Sequence, residues 1–242
     1  MFVVGKSDIG KQRTENQDRF HVSMIDDDTC IAVVCDGMGG AASGSVASEM
    51  ASGIVYDRLN LSYRTDMEPR SIKSMLTSAL TAANTVVYQK SRDNEENEGM
   101  GTTCVAALLH NDLCCIASVG DSRAYLLDDT GITQITTDHT MVEYLRSKGI
   151  IDESEMKVHK MKNVITRAIG VEPTLEVDYF EVELNPGSII LICTDGLTNY
   201  CSDELIYSIV YKRPLEQSAG ELIDYANNSG GKDNITAVLL LA

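Results

Sequence analysis

Five aspartates stand where apolar runs of this sequence begin or stop: Asp18, Asp36, Asp121, Asp195 and Asp233. Asp36 ends Ala32-Val33-Val34-Cys35 and is followed by Gly37-Met38-Gly39-Gly40. Asp121 follows Ala117-Ser118-Val119-Gly120, Asp195 follows Ile192-Cys193-Thr194, and Asp233-Asn234 leads into the final apolar run. Taken singly, each is an ordinary turn residue or helix cap, since Asp-Gly is a common turn signal. Five at strand ends suggest something more, because carboxylates converging on one edge repel unless cations neutralise them. Oxygen-only donors beside bare glycine backbone suit a hard cation, Mg²⁺ or Mn²⁺ rather than zinc. No Gly-x-Ser-x-Gly elbow accompanies them, so a serine nucleophile is not expected. His21, His110 and His159 carry no partner pattern; His139, in Thr137-Asp138-His139-Thr140, stands out slightly.

The elements that must position these acids are legible in outline. Ile31 to Cys35 is short, apolar and β-branched, the pattern of a buried strand. Ser7 to Ile9 and Phe20 to Ser23 read as short strands flanking a polar loop, Lys11 to Asp18. A helix is predicted from about Ser45 to Leu59, with Val46, Met50 and Ile54 on one face. A second carries Ile72, Met75, Leu76, Ala79, Leu80, Ala83, Val86 and Val87 at helical spacing. Three hairpins are then expected, turning at His110-Asn111-Asp112, Asp128-Asp129-Thr130-Gly131 and Asn185-Pro186-Gly187. The last would join Leu175–Leu184 to Ser188–Cys193. Helices near Asp203 to Tyr211 and Leu215 to Asn228 precede a final strand, Ile235 to Leu241. Strands in pairs with helices in pairs predict an α+β sandwich, sheets inside and helices outside. The charged stretch Met141 to Lys162 reads equally as a mobile lid beside a site or as a plain surface excursion.

Totals narrow the class. The chain has 242 residues and a formal net charge of −16, from 20 basic and 36 acidic side chains. That balance disfavours nucleic acid and anionic membrane as partners. No linker or repeat divides it, so one domain over residues 1–242 is expected. The seven cysteines are odd in number, lie mostly in apolar runs and form no C-x-x-C pair. They predict buried free thiols in a reducing compartment. With no signal-peptide pattern and no run near the length of a membrane span, a cytoplasmic protein is expected.

The motifs, taken in order, resemble those of the metal-dependent Ser/Thr protein phosphatases (the PPM family, type 2C) in their compact bacterial form. The match rests on Arg13-Thr14-Glu15-Asn16-Gln17-Asp18, Asp36-Gly37-Met38-Gly39-Gly40, Gly101-Thr102-Thr103, Gly120-Asp121-Ser122-Arg123, Asp138-His139-Thr140, Thr166-Arg167-Ala168-Ile169-Gly170, Asp195-Gly196-Leu197-Thr198-Asn199 and Gly231-Lys232-Asp233-Asn234-Ile235-Thr236. Each motif alone is weak; the ordered set spans essentially the whole chain and is highly specific. The resemblance implies a four-layer αββα sandwich and hydrolysis of phosphoserine or phosphothreonine in proteins by a metal-bridging water, opposing a Ser/Thr kinase. It implies two Mn²⁺ or Mg²⁺ ions, with Asp36 bridging them and the Gly37 carbonyl on one. Asp195 and Asp233 would bind the other ion, Asp18 would hold metal-bound water, and Asp121 would serve a weaker third ion. Arg13 would grip the substrate phosphate, and residues 141–162 would form the variable flap that touches the protein substrate. Phosphorylated proteins, including a cognate kinase, are the partners implied, and a monomer the oligomeric state.

Two departures matter. Met38 stands where eukaryotic members carry a histidine, and Ala41 where bacterial members often do. A proton donor for the leaving alkoxide is therefore not identified among the motifs; metal-bound water is one candidate and His139 a weaker one. Asn199 replaces an acid of the eukaryotic pattern. Slower turnover on poor leaving groups than on aryl phosphates is expected. The competing readings are a catalytically weak relative that binds phosphoproteins as a regulator, and an enzyme of the sporulation type with one narrow phosphoserine substrate.

Overall fold

Strand β3 (Thr29–Met38) is buried along most of its length, and its side chains sort by parity. Ile31, Val33 and Cys35 point to one side, where Ala47, Ala51, Val55, Leu59, Ile72, Leu76, Leu80 and Val87 meet them. Cys30, Ala32 and Val34 point to the other, against Ile190, Ile192, Val238 and Leu240. Alternation with period two is what a pleated strand imposes, and a strand buried on both faces must be apolar at both parities. A third core, around Leu191, Cys193, Ala237 and Leu239, packs on Ile206, Val210, Leu222, Ile223 and Ala226. Three cores between four layers give the αββα sandwich that the motifs imply.

The computed structural model describes residues 1–40, 43–211 and 213–242; Ala41, which replaces the histidine of many bacterial members, lies outside the described residues. One sheet runs β1 (Phe2–Asp8), β11 (Ile235–Leu241), β10 (Ile189–Cys193), β7 (Arg123–Asp128), β8 (Gly131–Gln134). The other runs β2 (Asp18–Asp26), β3, β5 (Cys104–His110), β6 (Leu113–Val119), β9 (Asp178–Glu183), with the short β4 (Gly101–Thr102) pairing the end of β3. Every pairing is antiparallel. Helices α1 (Ser43–Ser62) and α2 (Pro69–Ser91) cover the second sheet; the short α3 (Met141–Ser147), α4 (Glu153–Met156) and α5 (Asp195–Thr198) lie in connections; α6 (Asp203–Tyr211) and α7 (Leu215–Asn228) cover the first sheet.

Four expectations are corrected. The first strand begins at Phe2 and pairs with β11 along its whole length, where only Ser7 to Ile9 was expected. The third hairpin does not exist: β9 pairs β6 in one sheet, while β10 lies between β7 and β11 in the other. Asn185-Pro186-Gly187 therefore carries the chain between sheets. On α1 the buried face is Ala47, Ala51, Val55 and Leu59, leaving Val46 37% exposed and Met50 and Ile54 only partly covered. Small side chains win there because the helix lies close on the sheet; Ser48 Oγ reaches the Gln17 carbonyl at 2.5 Å. On α2 Val86 faces outward, and the buried Asn84 takes its place on the inner face, bonded to Gly170 N–H and the Glu172 carbonyl.

All seven cysteines are buried and free. Among the described residues no helix is long and apolar enough to cross a membrane.

Candidate active site

The ladder between β2 and β3 sets Asp18 directly opposite Asp36. Like charges in that register destabilise a sheet unless something offsets them. The other three acids come from different elements. Asp195 begins α5 (Asp195–Thr198) at the end of β10, Asp233 precedes β11, and Asp121 sits in the crossover from β6 to β7. Gly196 explains how two of these segments come together: a Cβ there would run into the Asn234 carbonyl oxygen. Only glycine permits that approach of backbone to backbone.

Crowding shows in the acidities. Asp36 is held well above the usual carboxylate range, by burial first and then by the charges of Asp18, Asp195, Asp121 and Asp233. Burial pushes Asp18 up to about 7; Thr236 and Thr194 act the other way, and Asp195 and Asp233 push it further up. Asp121 is pushed up to about 7 by burial, then by Asp195 and Asp138. Asp195 is raised by burial and by Asp233. All five predicted acids thus lie near enough for their charges to act on one another. Among the described residues no three His, Cys, Asp or Glu side chains close into a ready ligand set.

The chemistry of the donors nevertheless fits divalent ions. Asp18 Oδ2 accepts from Thr236 Oγ1 (2.7 Å) and Thr194 Oγ1 (2.9 Å), but its buried Oδ1 has no hydrogen-bond partner among the described residues. An unpartnered buried carboxylate oxygen is costly, and a cation offsets that cost. Gly37 is buried in β3, paired with Thr102, its N–H donating to the Gln17 carbonyl at 3.1 Å. Arg13, on the exposed loop before β2, pairs with Asp233 Oδ2 at 2.8 Å, which puts its guanidinium at the mouth of the cleft.

The remaining motifs are braces. Thr103 Oγ1 accepts from the Asp36 N–H (2.9 Å) and bonds Ser122 Oγ (2.7 Å), while Thr103 N–H donates to the Asp36 carbonyl (2.9 Å). Gly120, at φ +105°, packs on Thr103 where a Cβ would clash. His139 brackets that glycine: its N–H donates to the Gly120 carbonyl and its Nδ1 accepts from the Gly120 N–H, both at 2.9 Å. Accepting at Nδ1 places the ring proton on Nε2, 3.2 Å from Asp178 Oδ2. Burial, its largest influence, keeps this ring below the usual histidine range. With both nitrogens engaged inside the protein, His139 is no proton donor to the cleft, which corrects its candidacy. Arg123 grips Asp138 through two nitrogens (2.6–3.0 Å), tying the Asp121 loop to the segment ahead of the flap.

Over residues 4–239 the sequence matches the family described as protein phosphatase 2C. The chain belongs to that family. This phosphatase is 37% identical to the serine/threonine phosphatase stp of Listeria monocytogenes serotype 4b, over 97% of its own length and 93% of that protein's. Its fold superposes on the crystal structure of the serine/threonine phosphatase Stp1 from Staphylococcus aureus with a TM-score of 0.92 and 32% identity, covering 99% and 94% of the two chains. A similar likeness (TM-score 0.85, 31% identity, 98% and 96% covered) holds to the catalytic domain of serine threonine protein phosphatase PstP in complex with two manganese ions.

Several residues that build the phosphatase's cleft carry no chemistry of their own in the sequence. Thr103, Thr194 and Thr236 hold carboxylates or their backbone, and Asn234 holds the Arg13 loop by bonding Gln17 N–H, the Ile9 carbonyl and the Glu15 carbonyl (2.8–3.0 Å). Thr194 and Asn234 stand next to an acid, while Thr103 and Thr236 are marked only by lying in matched motifs. Asn199, in place of an acid, donates to Asp195 Oδ2 at 3.1 Å.

Proposed function

We propose that this phosphatase hydrolyses phosphoserine and phosphothreonine in proteins, with water as nucleophile and two Mn²⁺ or Mg²⁺ ions as cofactors. The observation that carries the reading is the buried Asp18 carboxylate directly opposite Asp36, whose Oδ1 has no hydrogen-bond partner among the described residues. Asp36, Asp195, Asp233 and the Gly37 carbonyl would hold the two ions, Asp18 their solvent ligands, and Asp121 a weaker third ion. Bound divalent ions lower the pKa of water and offset phosphoryl charge, which is where most of the catalytic effect in phosphoryl transfer lies.

The chain's own part is positioning. Thr194 and Thr236 fix the Asp18 carboxylate in one orientation; Thr103 fixes the Asp36 backbone and, through Ser122, the neighbouring Asp121 loop. Arg13 is the one cation at the mouth among the predicted site residues, and its planar fork suits two phosphoryl oxygens. Its bond to Asp233 is half exposed and easily exchanged for a substrate phosphate. No side chain is assigned as acid for the leaving group, so aryl phosphates, which leave as weaker bases, should turn over faster than alkyl phosphates. One catalytic unit over residues 1–242, acting as a cytoplasmic monomer against a cognate kinase, completes the proposal.

The test is Mn²⁺-dependent hydrolysis of an aryl phosphate and a phosphothreonine peptide by the wild type and Asp36→Asn. Retained hydrolysis in the variant, or none in the wild type, would refute the reading.

A further inference from the structure

Between Glu155 and Glu172 the chain carries no acid for sixteen residues, although it has 36 acids in all. The same stretch holds Lys157, Lys160, Lys162 and Arg167. Arg167 is neutralised locally by Glu176 (3.0 Å) and Asp178 (2.7 Å). The three lysines are exposed, and among the described residues none has a carboxylate within 4.0 Å. Val158 (83% exposed), Met161 (39%) and Val164 (44%) are interleaved with them.

This strip belongs to the flap, and the flap is rooted in the cleft at both ends. Thr140 and Ile165 form an antiparallel bridge, and Thr166 N–H donates to the His139 carbonyl at 2.8 Å. His139 in turn brackets Gly120, the neighbour of Asp121. Beyond the flap, Ile169 bridges to Thr102, which pairs with Gly37. On its other side the strip approaches α6: the Glu204 carboxyl is held low first by its bond to Ser202 and in smaller part by the Lys157 charge. A positive, partly apolar strip is therefore carried on a segment whose stem is tied to the turn before Asp121 and to the strand pair at Gly37, in a molecule of net charge −16.

From this we infer that the flap strip Lys157–Lys162 recognises acidic side chains flanking the phosphorylated residue, so that acid-flanked phosphoproteins are the preferred substrates. The assignment rests on the phosphatase reading above and deepens it. Three lysines are too few to carry a nucleic acid or a membrane surface against the charge of the rest of the chain. They match one or two carboxylates of a short peptide, and the exposed apolar side chains between them give that peptide's own apolar side chains somewhere to lie. Exposed pairs of this kind are weak singly. Together they act on encounter and on KM, while Arg13 and the aspartates govern kcat.

The test compares three substrates with Mn²⁺ present: an aryl phosphate, a phosphothreonine peptide flanked by Asp and Glu, and its Asn/Gln counterpart. At low ionic strength the acid-flanked peptide should show roughly tenfold higher kcat/KM than its neutral counterpart, through KM. The preference should vanish at about 1 M salt, where the Debye length is ~3 Å. The triple variant Lys157→Gln, Lys160→Gln, Lys162→Gln should lose it. Arg58→Gln, Arg70→Gln, Arg92→Gln, which removes the same charge from the α1–α2 side, should keep it. Equal kcat/KM for the two peptides in the wild type, or an undiminished preference in the lysine variant, overturns the inference while leaving the phosphatase intact. Failure to hydrolyse any of the three substrates overturns the phosphatase reading and the flap assignment together.

Discussion

At the scale of single residues, Asp36 is under opposite pressures from stability and function. Its carboxyl is raised by burial and by four neighbouring acids, so its charge is a cost to the metal-free fold. Asp36→Asn should therefore raise the melting temperature in chelator while lowering kcat/KM at least ~10²-fold. It should also abolish most of the Mn²⁺-induced thermal shift. A variant less stable than the wild type in chelator would count against this account of the crowding. Asp18 gives the matching pH dependence. Its folded pKa, about 7, lies above the unfolded value near 3.8. The folded form thus keeps a proton the unfolded chain has lost, so this contribution to stability is fully present below about pH 4. It drains away as pH rises to about 7. In chelator, the wild type should lose stability relative to Asp18→Asn across that window. Mn²⁺ affinity, which requires the proton to leave, should climb over the same range. Parallel stability curves for the two proteins would contradict the burial argument.

Elements explain why some of this was legible in the chain and some was not. Residues that carry charge at strand ends announce themselves, and all five acids could be named before their geometry was known. Residues that merely hold them look like any threonine or asparagine. Thr103 is the clearest case: a hydroxyl in a Gly-Thr-Thr run proves to tie Asp36 to Ser122. Thr103→Val keeps the shape and removes both bonds, and should cost about 1–3 kcal/mol by denaturant titration. Periodicity found α2 well, since its apolar face repeats at helical spacing. It chose the wrong face on α1, where close approach to the sheet favours alanine over valine and methionine. The turn Asn185-Pro186-Gly187 has hairpin residues, yet local chemistry cannot say which sheet the next strand will join. His139 lies in a matched motif, but its role as a brace on Gly120 is not legible from it. His139→Ala should loosen the Gly120 turn and the flap stem, seen as faster hydrogen exchange at Gly120 and around Thr140 and Ile165. His139→Asn, whose amide oxygen sits near the place of Nδ1, should restore protection at Gly120. Unchanged exchange in the alanine variant would remove His139 from the chain of contacts.

For the molecule as a whole, the acids are divided between the layers. Asp18 and Asp36 come from one sheet, Asp195 and Asp233 from the other, and Asp121 from the strand connection that passes between the two. Ions that bind all of them stabilise the docked state by mass action, by about 2.7 kcal/mol at a concentration of one hundred times Kd. Mn²⁺ should accordingly raise the thermal midpoint of the wild type, and a chelator should reverse the effect. A midpoint indifferent to the ion would mean that the acids do not act as one nest.

That partition has a consequence for the order of events in folding. Neither half of the sandwich owns enough oxygens to capture a manganese ion tightly. Tight uptake therefore marks the moment the inner faces meet, and the cofactor serves as a latch that closes only on a finished molecule. A refolding chain followed by the electron-spin signal of free manganese should show that signal fall together with burial of Val34 against Val238, never ahead of it.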